Sequence, residues 1–330
     1  MADYLYGSAH VRALENAIIG RDRIARLADV KDVSEAYTML SEAGVQLCRD
    51  EDGRILREET LLGILKNAYR TVEELAPDDS VLMLWRYPYD CNNVKAAIKA
   101  FVRGIDPTPM LFDFGCVDAE TVVRMVETGD FTALPNAMRA AARESVDAYA
   151  KTKNPQKVDL ILDRACYADM LTVAQGCDNA FMLRLVRSKI DLVNLMIAIR
   201  ILRMNSGAAG SALFTDAFIP GGALAYSDVK ELFDHGEEAL WTKLQVSDYA
   251  VLAERVAQSD RALTVVERLV DNYWMDMIRE TKFIPVGLEV MVAFLLAHEY
   301  EVKNLRIVLA GKEAGIASAT IRERIRDSYV

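Results

Sequence analysis

The chain has 330 residues, of which 52% are apolar and 27% charged, and its formal net charge at pH 7 is −10. This apolar fraction excludes an intrinsically disordered chain, and the length exceeds the ~250 residues at which single hydrophobic cores usually stop growing. We therefore expect two or three structural units. The acidic balance argues against sequence-independent binding of nucleic acid, which needs a basic surface, and favours a basic partner.

The cysteines and the apolar runs indicate a reducing compartment and no membrane span. The five cysteines are widely spaced and form no Cys-x-x-Cys pair, so neither a disulfide framework nor a zinc site is predicted. The N-terminal sequence MADYLYGSAH lacks a basic segment followed by an apolar one, so we expect no secretory signal. The longest apolar stretch, 284–297, is interrupted by Pro285, Gly287 and Glu289 and is too short to span a bilayer.

Helical periodicity runs along the chain from its first residues. Apolar residues recur at helical spacing, as in Val11, Leu14 and Ile18, and no alternating pattern typical of a strand outlasts a few residues. We therefore predict an all-α fold. The longest irregular stretch is predicted at 206–222, with a flexible linker at 207–210. Clusters of Gly, Pro, Asn, Asp or Ser predict further breaks between helices at 44–53, 78–80, 104–109, 129–135, 151–155 and 281–287.

Three segments share a polar motif at intervals of about one hundred residues. They begin at Asp90, Asp191 and Glu301, which are nearly evenly spaced, and each reads acid-x-x-Asn-x-[Lys/Met/Arg]. Apolar residues follow four and eight positions after the acid, so the acid lies in the middle of an apolar stripe and the Asn at its edge. The candidate functional residues in these segments are Asp90, Asn93, Lys95, Asp191, Asn194, Arg200, Glu301, Asn304 and Arg306.

A second alignment supports the same period. At one constant offset, a Gly-Val-Gly pattern recurs as Gly115, Val122 and Gly129 and then as Gly222, Val229 and Gly236. The N-terminal part matches more weakly, beginning near Gly7, which precedes Gly115 by almost the same interval. We predict three similar helical repeats, at residues 1–108, 109–212 and 213–330.

The sequence contains none of the common catalytic or nucleotide-binding motifs. A phosphate-binding loop would need Ser or Thr after Gly-Lys, but Glu313 follows Gly311 and Lys312. His298 and Glu299 resemble the start of a zinc-protease helix, but Val302 stands where the second His belongs. We therefore predict no catalytic residue, no cofactor, no metal site and no small-molecule substrate.

Two roles remain open for the acid and Asn of each segment: locking the repeats through buried polar contacts, or ringing an axis and receiving basic side chains of a partner. Cation coordination is a third and weaker alternative. Asp191 follows Ser188 by three residues, which suits a capping box, and Asp90 follows Pro88 in what resembles a first helical turn. Glu301 lies deep in a helical run. The Arg-rich end, 321–330, predicts a solvated helix face or, alternatively, a docking patch.

Together these segments resemble a known family. The three motifs, the C-terminal sequences HEYEVKNLRIVLAGK and IRERIRDSYV, and the N-terminal Arg12-Ala13-Leu14-Glu15 are similar to the C subunit of V-type and archaeal-type rotary ATPases, known in eukaryotes as the d subunit. The resemblance covers essentially the whole chain. Because the third segment reads His298-Glu299-Tyr300-Glu301, either Glu299 or Glu301 is the equivalent acid.

The resemblance implies a fold and a mechanical role. The family fold is a funnel of three similar helical bundles around a pseudo-threefold axis. The family member is not catalytic and needs no cofactor. It lies at the cytoplasmic face of the membrane, held there by protein contacts. It connects the central-stalk subunits D and F to the ring of membrane proteolipids, and so passes rotation between them for proton or sodium transport or for ATP synthesis.

Two other classes of protein stay open from the residues alone. One is a helical-repeat scaffold of a different complex, which the identity of co-purifying partners would distinguish. The other is an all-α enzyme using scattered acids, against which stands the lack of any clustered His, Cys or Gly-rich site.

Overall fold

A computed structural model describes residues 4–77, 80–204 and 207–330. The predicted all-α fold is confirmed over these residues, whose only extended pairing is an isolated bridge between Arg49 and Ile55. The helices are α1 Leu5–Leu14, α2 Arg21–Asp29, α3 Val33–Glu42, α4 Arg57–Leu75, α5 Ser80–Met83, α6 Tyr87–Arg103, α7 Ala119–Thr128, α8 Asn136–Thr152, α9 Pro155–Gly176, α10 Ala180–Arg203, α11 Gly207–Ala217, α12 Tyr226–His235, α13 Glu237–Leu244, α14 Ala250–Ala257, α15 Leu263–Arg279, α16 Leu288–Glu313 and α17 Ser318–Arg324. Short 3₁₀ turns occupy Glu15–Ala17, Thr108–Met110 and Glu280–Phe283.

The chain forms two compact units. The terminal unit consists of the segments before Ser80 and after Lys243, and the middle unit is Ser80–Lys243. The division into three repeats stays a prediction.

Helix α16 is the centre of the terminal unit. It contacts α1, α2, α3, α4, α15 and α17, and every residue from Val290 to Ala297 is buried. A helix that is apolar on all sides is stable in water only when other elements enclose it. Along α4, the side chains of Leu61, Leu65 and Tyr69 are buried, and this helix makes the most extensive contact with α16.

In the middle unit, α8 and α9 form a helical hairpin on which α6 and α10 pack. The turn between α8 and α9 places Lys153 in the left-handed region, with φ of +53°. Helix α7 packs on α6, and α11 packs on α10. Over the residues that the structure describes, no helix combines the length and apolarity that crossing a membrane requires.

The predicted break at 206–222 is confirmed at 218–222, which separates α11 from α12, and wrong before it. Residues 207–217, predicted to be irregular and to contain a flexible linker, form α11. This helix buries Gly210, Phe214 and Ala217, which lie on one helical face, so its packing against a neighbour stabilises a sequence rich in small residues. The predicted breaks at 104–109 and 129–135 do separate helices, and the one at 151–155 is confirmed for 153–154, since α8 ends at Thr152 and α9 begins at Pro155. Asp78, in the predicted break at 78–80, and Ser206, the first residue of the predicted break at 206–222, lie outside the described residues.

Candidate functional site

Asp90 and Asn93, on the first turns of α6, hold an extended segment against that helix. Nδ2 of Asn93 donates to the carbonyl of Phe112 at 2.7 Å, and its Oδ1 accepts from the N–H of the same residue at 2.8 Å. The carboxylate of Asp90 accepts from the N–H groups of Cys116 and Val117, both at 3.0 Å. We call this arrangement of a helical acid, an Asn three residues later and the backbone that they bind an acid–Asn clamp.

The second clamp, on α10, has the same geometry. Asn194 exchanges two hydrogen bonds with the backbone of Ile219, both at 2.8 Å. Asp191 accepts from the N–H groups of Ala223 at 2.9 Å and Leu224 at 3.1 Å. In both clamps the acid binds the residues four and five positions after the partner of the Asn. The motif predicted from the sequence therefore corresponds to one repeated set of contacts.

A glycine is required in each of these two clamps. A Cβ on Gly115 would overlap Oδ1 of Asp90 and lie 2.8 Å from its Cγ. A Cβ on Gly222 would overlap Oδ1 of Asp191 and lie at the same distance from its Cγ. Because the carboxylate occupies the space of a side chain, only glycine fits there. This close approach is the physical reason for the Gly115–Gly222 match in the sequence.

The helices that follow the clamped segments are also equivalent. Helices α7 and α12 are both ten residues long, and they begin two residues after Val117 and Leu224, respectively. Each buries the aligned valine, and each ends at the aligned glycine, Gly129 or Gly236, which has positive φ. The constant offset of the Gly-Val-Gly pattern thus describes a clamped segment and the helix after it.

The third clamp, on α16, joins two distant segments of the terminal unit. Asn304 exchanges two hydrogen bonds with the backbone of Arg326, at 3.0 and 2.8 Å. Oε1 of Glu301 accepts instead from the N–H of Ile19 at 2.8 Å, across 282 residues of sequence. Ile19 stands two residues before α2, as Val117 stands before α7. The third clamp therefore ties the N-terminal segment to the C-terminal one.

The structure bears on two details of the repeat alignment that was predicted from the sequence: the place of Gly7 and the identity of the third acid. Gly7 lies inside α1, where a Cβ would meet Met291 and the carbonyl of Leu75, so it is not the counterpart of Gly115. The geometry places Glu301 in the third clamp. Glu299 instead accepts a hydrogen bond from the Tyr69 hydroxyl at 3.3 Å.

The cavity beside the third clamp contains a second titratable group. Oε2 of Glu301 lies 2.6 Å from Nδ1 of His298, and both residues line a cavity of about 560 Å³. Lys66 and Arg70 of α4 lie on its wall. In the described part of the chain, no three His, Cys, Asp or Glu side chains lie close enough together to hold a metal ion.

The basic residues of the three motifs lie elsewhere. Lys95 is buried and pairs with Asp163 of α9. Arg306 is exposed and pairs with Glu58 of α4 at 2.9 Å. Arg200 lies exposed in the last turn of α10. The structure therefore does not bring the predicted cations together with the acids of their own motifs.

The two local predictions about the motif helices have different outcomes. Ser188 does not cap a helix, because α10 begins at Ala180, and its N-cap is Asn179, which accepts from the N–H of Met182 at 3.0 Å. Asp191 is thus in the middle of a helix that is buried on several sides. Asp90 does lie in the first turn of α6, as predicted, with Pro88 at the helix start.

The clamp residues are deeply buried, and in the first clamp this burial perturbs the acid. The six clamp residues are at most 4% exposed. Desolvation raises the pKa of Asp90 above its ordinary value, while the N–H groups of Val117 and Cys116 oppose the shift. In each clamp, buried side chains of a helix are thus hydrogen-bonded to the backbone of a non-helical segment.

The C-terminal segment is a further set of contacts that the sequence did not reveal. The predicted solvated helix face at 321–330 is confirmed only for the exposed residues 322–324 of α17. It is wrong for Ile321 and Tyr329, which are each 1% exposed. The Tyr329 hydroxyl accepts from Arg12 at 2.9 Å and lies 3.1 Å from the Thr281 hydroxyl. Asp327 pairs with Arg21 at 3.2 Å. This segment fastens α1 and α2 to the end of α15.

Comparison with known proteins identifies the family of the chain. The family model described as "ATP synthase (C/AC39) subunit" matches residues 8–324, almost the whole chain. The chain belongs to this family. Its relatives include the C subunit of the V-type sodium ATPase of Enterococcus hirae, which is 22% identical over 327 residues, covering 97% of each chain. The C subunit of the A-type ATP synthase of Methanocaldococcus jannaschii is 21% identical over 98% of this chain and 86% of the relative.

A third relative extends the comparison. The C subunit of the A-type ATP synthase of Haloferax volcanii is 25% identical over 333 residues, covering 94% of each chain. Membership of the family therefore rests on matches along nearly the full length of the chain and of its relatives, and the resemblance deduced from the motifs is confirmed.

Proposed function

We propose that the chain is the non-catalytic adaptor of a V-type or A-type rotary ATPase, which couples the central-stalk subunits D and F to the membrane proteolipid ring. The family match over residues 8–324 is the observation that carries this proposal. The relatives support it, since they are named as the C subunit of a V-type sodium ATPase and as C subunits of A-type ATP synthases.

An adaptor that transmits torque must be stiff. Close-packed interiors deform little and transmit strain, and a helix fixed to its following loop by several hydrogen bonds adds local rigidity. Each acid–Asn clamp supplies such a fixation at a long helix. The clamps therefore suit a part that must pass rotation from one neighbour to another.

The clamp residues serve the protein from the inside. Because Asp90, Asn93 and their counterparts are buried and hydrogen-bonded within their own units, they hold helices and loops together and leave partner contact to exposed residues. The repeated clamp also supports the division into three repeats at 1–108, 109–212 and 213–330, around a pseudo-threefold axis. With these boundaries each clamp joins a helix of one repeat to the segment that begins the next, and Glu301 of the third repeat binds Ile19 of the first.

The adaptor is peripheral in this proposal and is held at the cytoplasmic face of the membrane by D, F and the ring. It requires no cofactor, no nucleic acid and no small-molecule substrate. The test is to purify the chain with an affinity tag from mildly solubilised membranes and to identify the co-purifying proteins. We expect the nucleotide-binding subunits, D, F and the proteolipid in fixed stoichiometry. Recovery of the chain in a complex without rotary ATPase subunits would contradict the proposal.

A further inference from the structure

An open apolar groove lies between α6 and α7 in the middle unit. Its volume is about 420 Å³, its floor includes the buried side chains of Ala97 and Val126, and its walls include Val123, Phe101 and Ile105. Phe101 and Ile105 are each 50% exposed. Large apolar side chains gathered around a groove indicate a surface that another chain covers.

Each clamp region consists of the helix that carries the clamp and the helix after the bound segment. In the second clamp region, formed by α10 and α12, the groove equivalent to that between α6 and α7 is covered. Ala198 of α10 corresponds to Ala97, and Phe233 of α12 corresponds to Val126, when Asp191 is aligned with Asp90 and Gly222 with Gly115. Here α11 lies over both helices. Its Phe214 is fully buried and stacks on Phe233, with ring centroids 4.4 Å apart and planes 6° apart. A helix of the chain itself fills this groove.

The third clamp region is covered in the same way. Helices α16 and α2 correspond to α6 and α7, and α17 packs on both of them. Ile321 of α17 is 1% exposed and lies so close to α16 that a Cβ on Gly311 would be 2.8 Å from it. Two of the three equivalent grooves are thus occupied by a short helix of the chain.

The first region has no such helix. Phe112 follows its clamp partner Asn93 by 19 positions, whereas Ile219 follows Asn194 by 25. The shorter connection forms only the 3₁₀ turn Thr108–Met110, and the groove stays open. The exposed acids Asp106 and Glu127 stand on its rim.

We propose that an amphipathic helix of a partner protein occupies the groove between α6 and α7, taking the place that α11 and α17 take in the other two regions. Its apolar face packs on Phe101, Ile105 and Val123, as an amphipathic helix does in a hydrophobic groove. Lys or Arg residues on its flanks face Asp106 and Glu127. This inference goes beyond the proposed function, because it names one surface and the element that fits it.

Site-specific photo-crosslinking tests the occupant directly. The crosslinking residue p-benzoylphenylalanine is placed at Phe101, and in a matched control at Leu202, the equivalent position of α10, in the full chain within its native complex. The control is expected to crosslink to residues 207–217 of the same chain. At Phe101 we expect crosslinks to a helical segment of a different protein with an apolar face and flanking Lys or Arg residues. No crosslink, or crosslinks to lipid, to a second copy of this chain or to a segment of another kind, would overturn the proposal.

Two variants provide an independent measure. Phe101→Asp should reduce co-purification of the crosslinked partner at least about tenfold, as expected when the central apolar contact of an interface is lost. The double variant Asp106→Lys and Glu127→Lys leaves the apolar floor intact and should also weaken capture. Val246→Asp, at a residue that is 80% exposed elsewhere, is the control and should have no effect. If both groove variants co-purify the crosslinked partner as well as the wild type does, the proposed docking site is wrong. Recovery of a normal rotary complex in that case would leave the proposed function standing.

Discussion

The acid–Asn clamp depends on the absence of a side chain at one backbone position. Gly115 lies beside the carboxylate of Asp90, and Gly222 lies beside that of Asp191. Each carboxylate is closer than a van der Waals distance to the position that a Cβ on the glycine would occupy. The sequence shows both glycines and their offset. It does not show the carboxylate that excludes every other residue, because that contact forms between segments that are distant in the sequence.

Replacing these glycines by alanine should be costly. We expect Gly115→Ala and Gly222→Ala each to lower the free energy of unfolding by about 1–3 kcal/mol, since the added methyl group must displace a buried carboxylate. Urea denaturation of the purified chain measures the change. Gly176→Ala is the control, because a Cβ there meets no atom within 4 Å, and it should be neutral or slightly stabilising. Equal stability of all three variants would show that the clamps tolerate a shift of the acid.

The Asn residues test the internal role of the clamps. Asn93→Leu, Asn194→Leu and Asn304→Leu each leave the backbone N–H and C=O of one residue without the Asn that binds them, and we expect each to lose about 1–3 kcal/mol of stability. The loss should be largest for Asn194, because its bonds to Ile219 are buried whereas those to Phe112 and Arg326 are partly buried. Thermal melting of the single variants measures this. Asn92→Leu, at an exposed neighbour in α6, should change stability by less than about 0.5 kcal/mol. Unchanged melting together with lost assembly in the three clamp variants would assign these residues to partner contact.

The raised pKa of Asp90 gives a pH dependence of known sign. Because burial raises its pKa in the folded chain, the stabilising contribution of Asp90 is fully present below the ordinary carboxyl pKa of 3.8 and falls as pH rises through the folded value. The stability of the wild type minus that of Asp90→Asn should therefore decrease from pH 3.5 to pH 7. Denaturation curves at both pH values measure it. An increase with pH would mean that the N–H groups of Cys116 and Val117 outweigh burial.

At the scale of helices, hydrophobic periodicity predicts that a helix is present better than it predicts where the helix begins and ends. The run around Asp191 was predicted to start at Ser188, but apolar residues on both sides of that point continue α10 from Ala180. A helix buried on most of its surface has no single apolar stripe to mark its start. Residues 207–210 were predicted to be a linker inside an irregular stretch because glycine disfavours an isolated helix, yet packing of Phe214 against Phe233 stabilises α11. In both cases tertiary contact decided what local propensity left open.

The C-terminal segment is an element whose role only the fold reveals. Tyr329→Ala should lower the free energy of unfolding by about 3–5 kcal/mol, because it removes a buried aromatic ring that links Arg12 and Thr281. Tyr329→Phe, which keeps the ring and loses the hydroxyl, should cost less. Val330→Ala, at a residue that is 40% exposed, is the control. Chemical denaturation checks all three. Equal stability of Tyr329→Ala and Val330→Ala would mean that the contacts of the C-terminal segment do not stabilise the fold.

At the scale of the whole molecule, the sequence predicts the all-α fold class and the repeated motif. It does not predict the contacts between the N-terminal and C-terminal segments. Contacts such as Ile19 with Glu301 join residues 282 positions apart, and nothing in the local pattern of either segment marks them as partners. The glycine and valine offsets were visible because they repeat. The third clamp was only partly visible, because its bound backbone comes from two separate segments.

The most direct test of the central claim is ATP-driven ion transport in membrane vesicles from cells that lack this chain, with and without the purified protein added back. If the chain is the non-catalytic coupling adaptor that we propose, it should be dispensable for ATP hydrolysis by the nucleotide-binding subunits and indispensable for transport. We expect hydrolysis to persist without it, transport to fall to background, and addition of the wild-type protein to restore transport. Transport at the normal rate in its absence, or loss of ATP hydrolysis by the isolated nucleotide-binding subunits, would contradict the account.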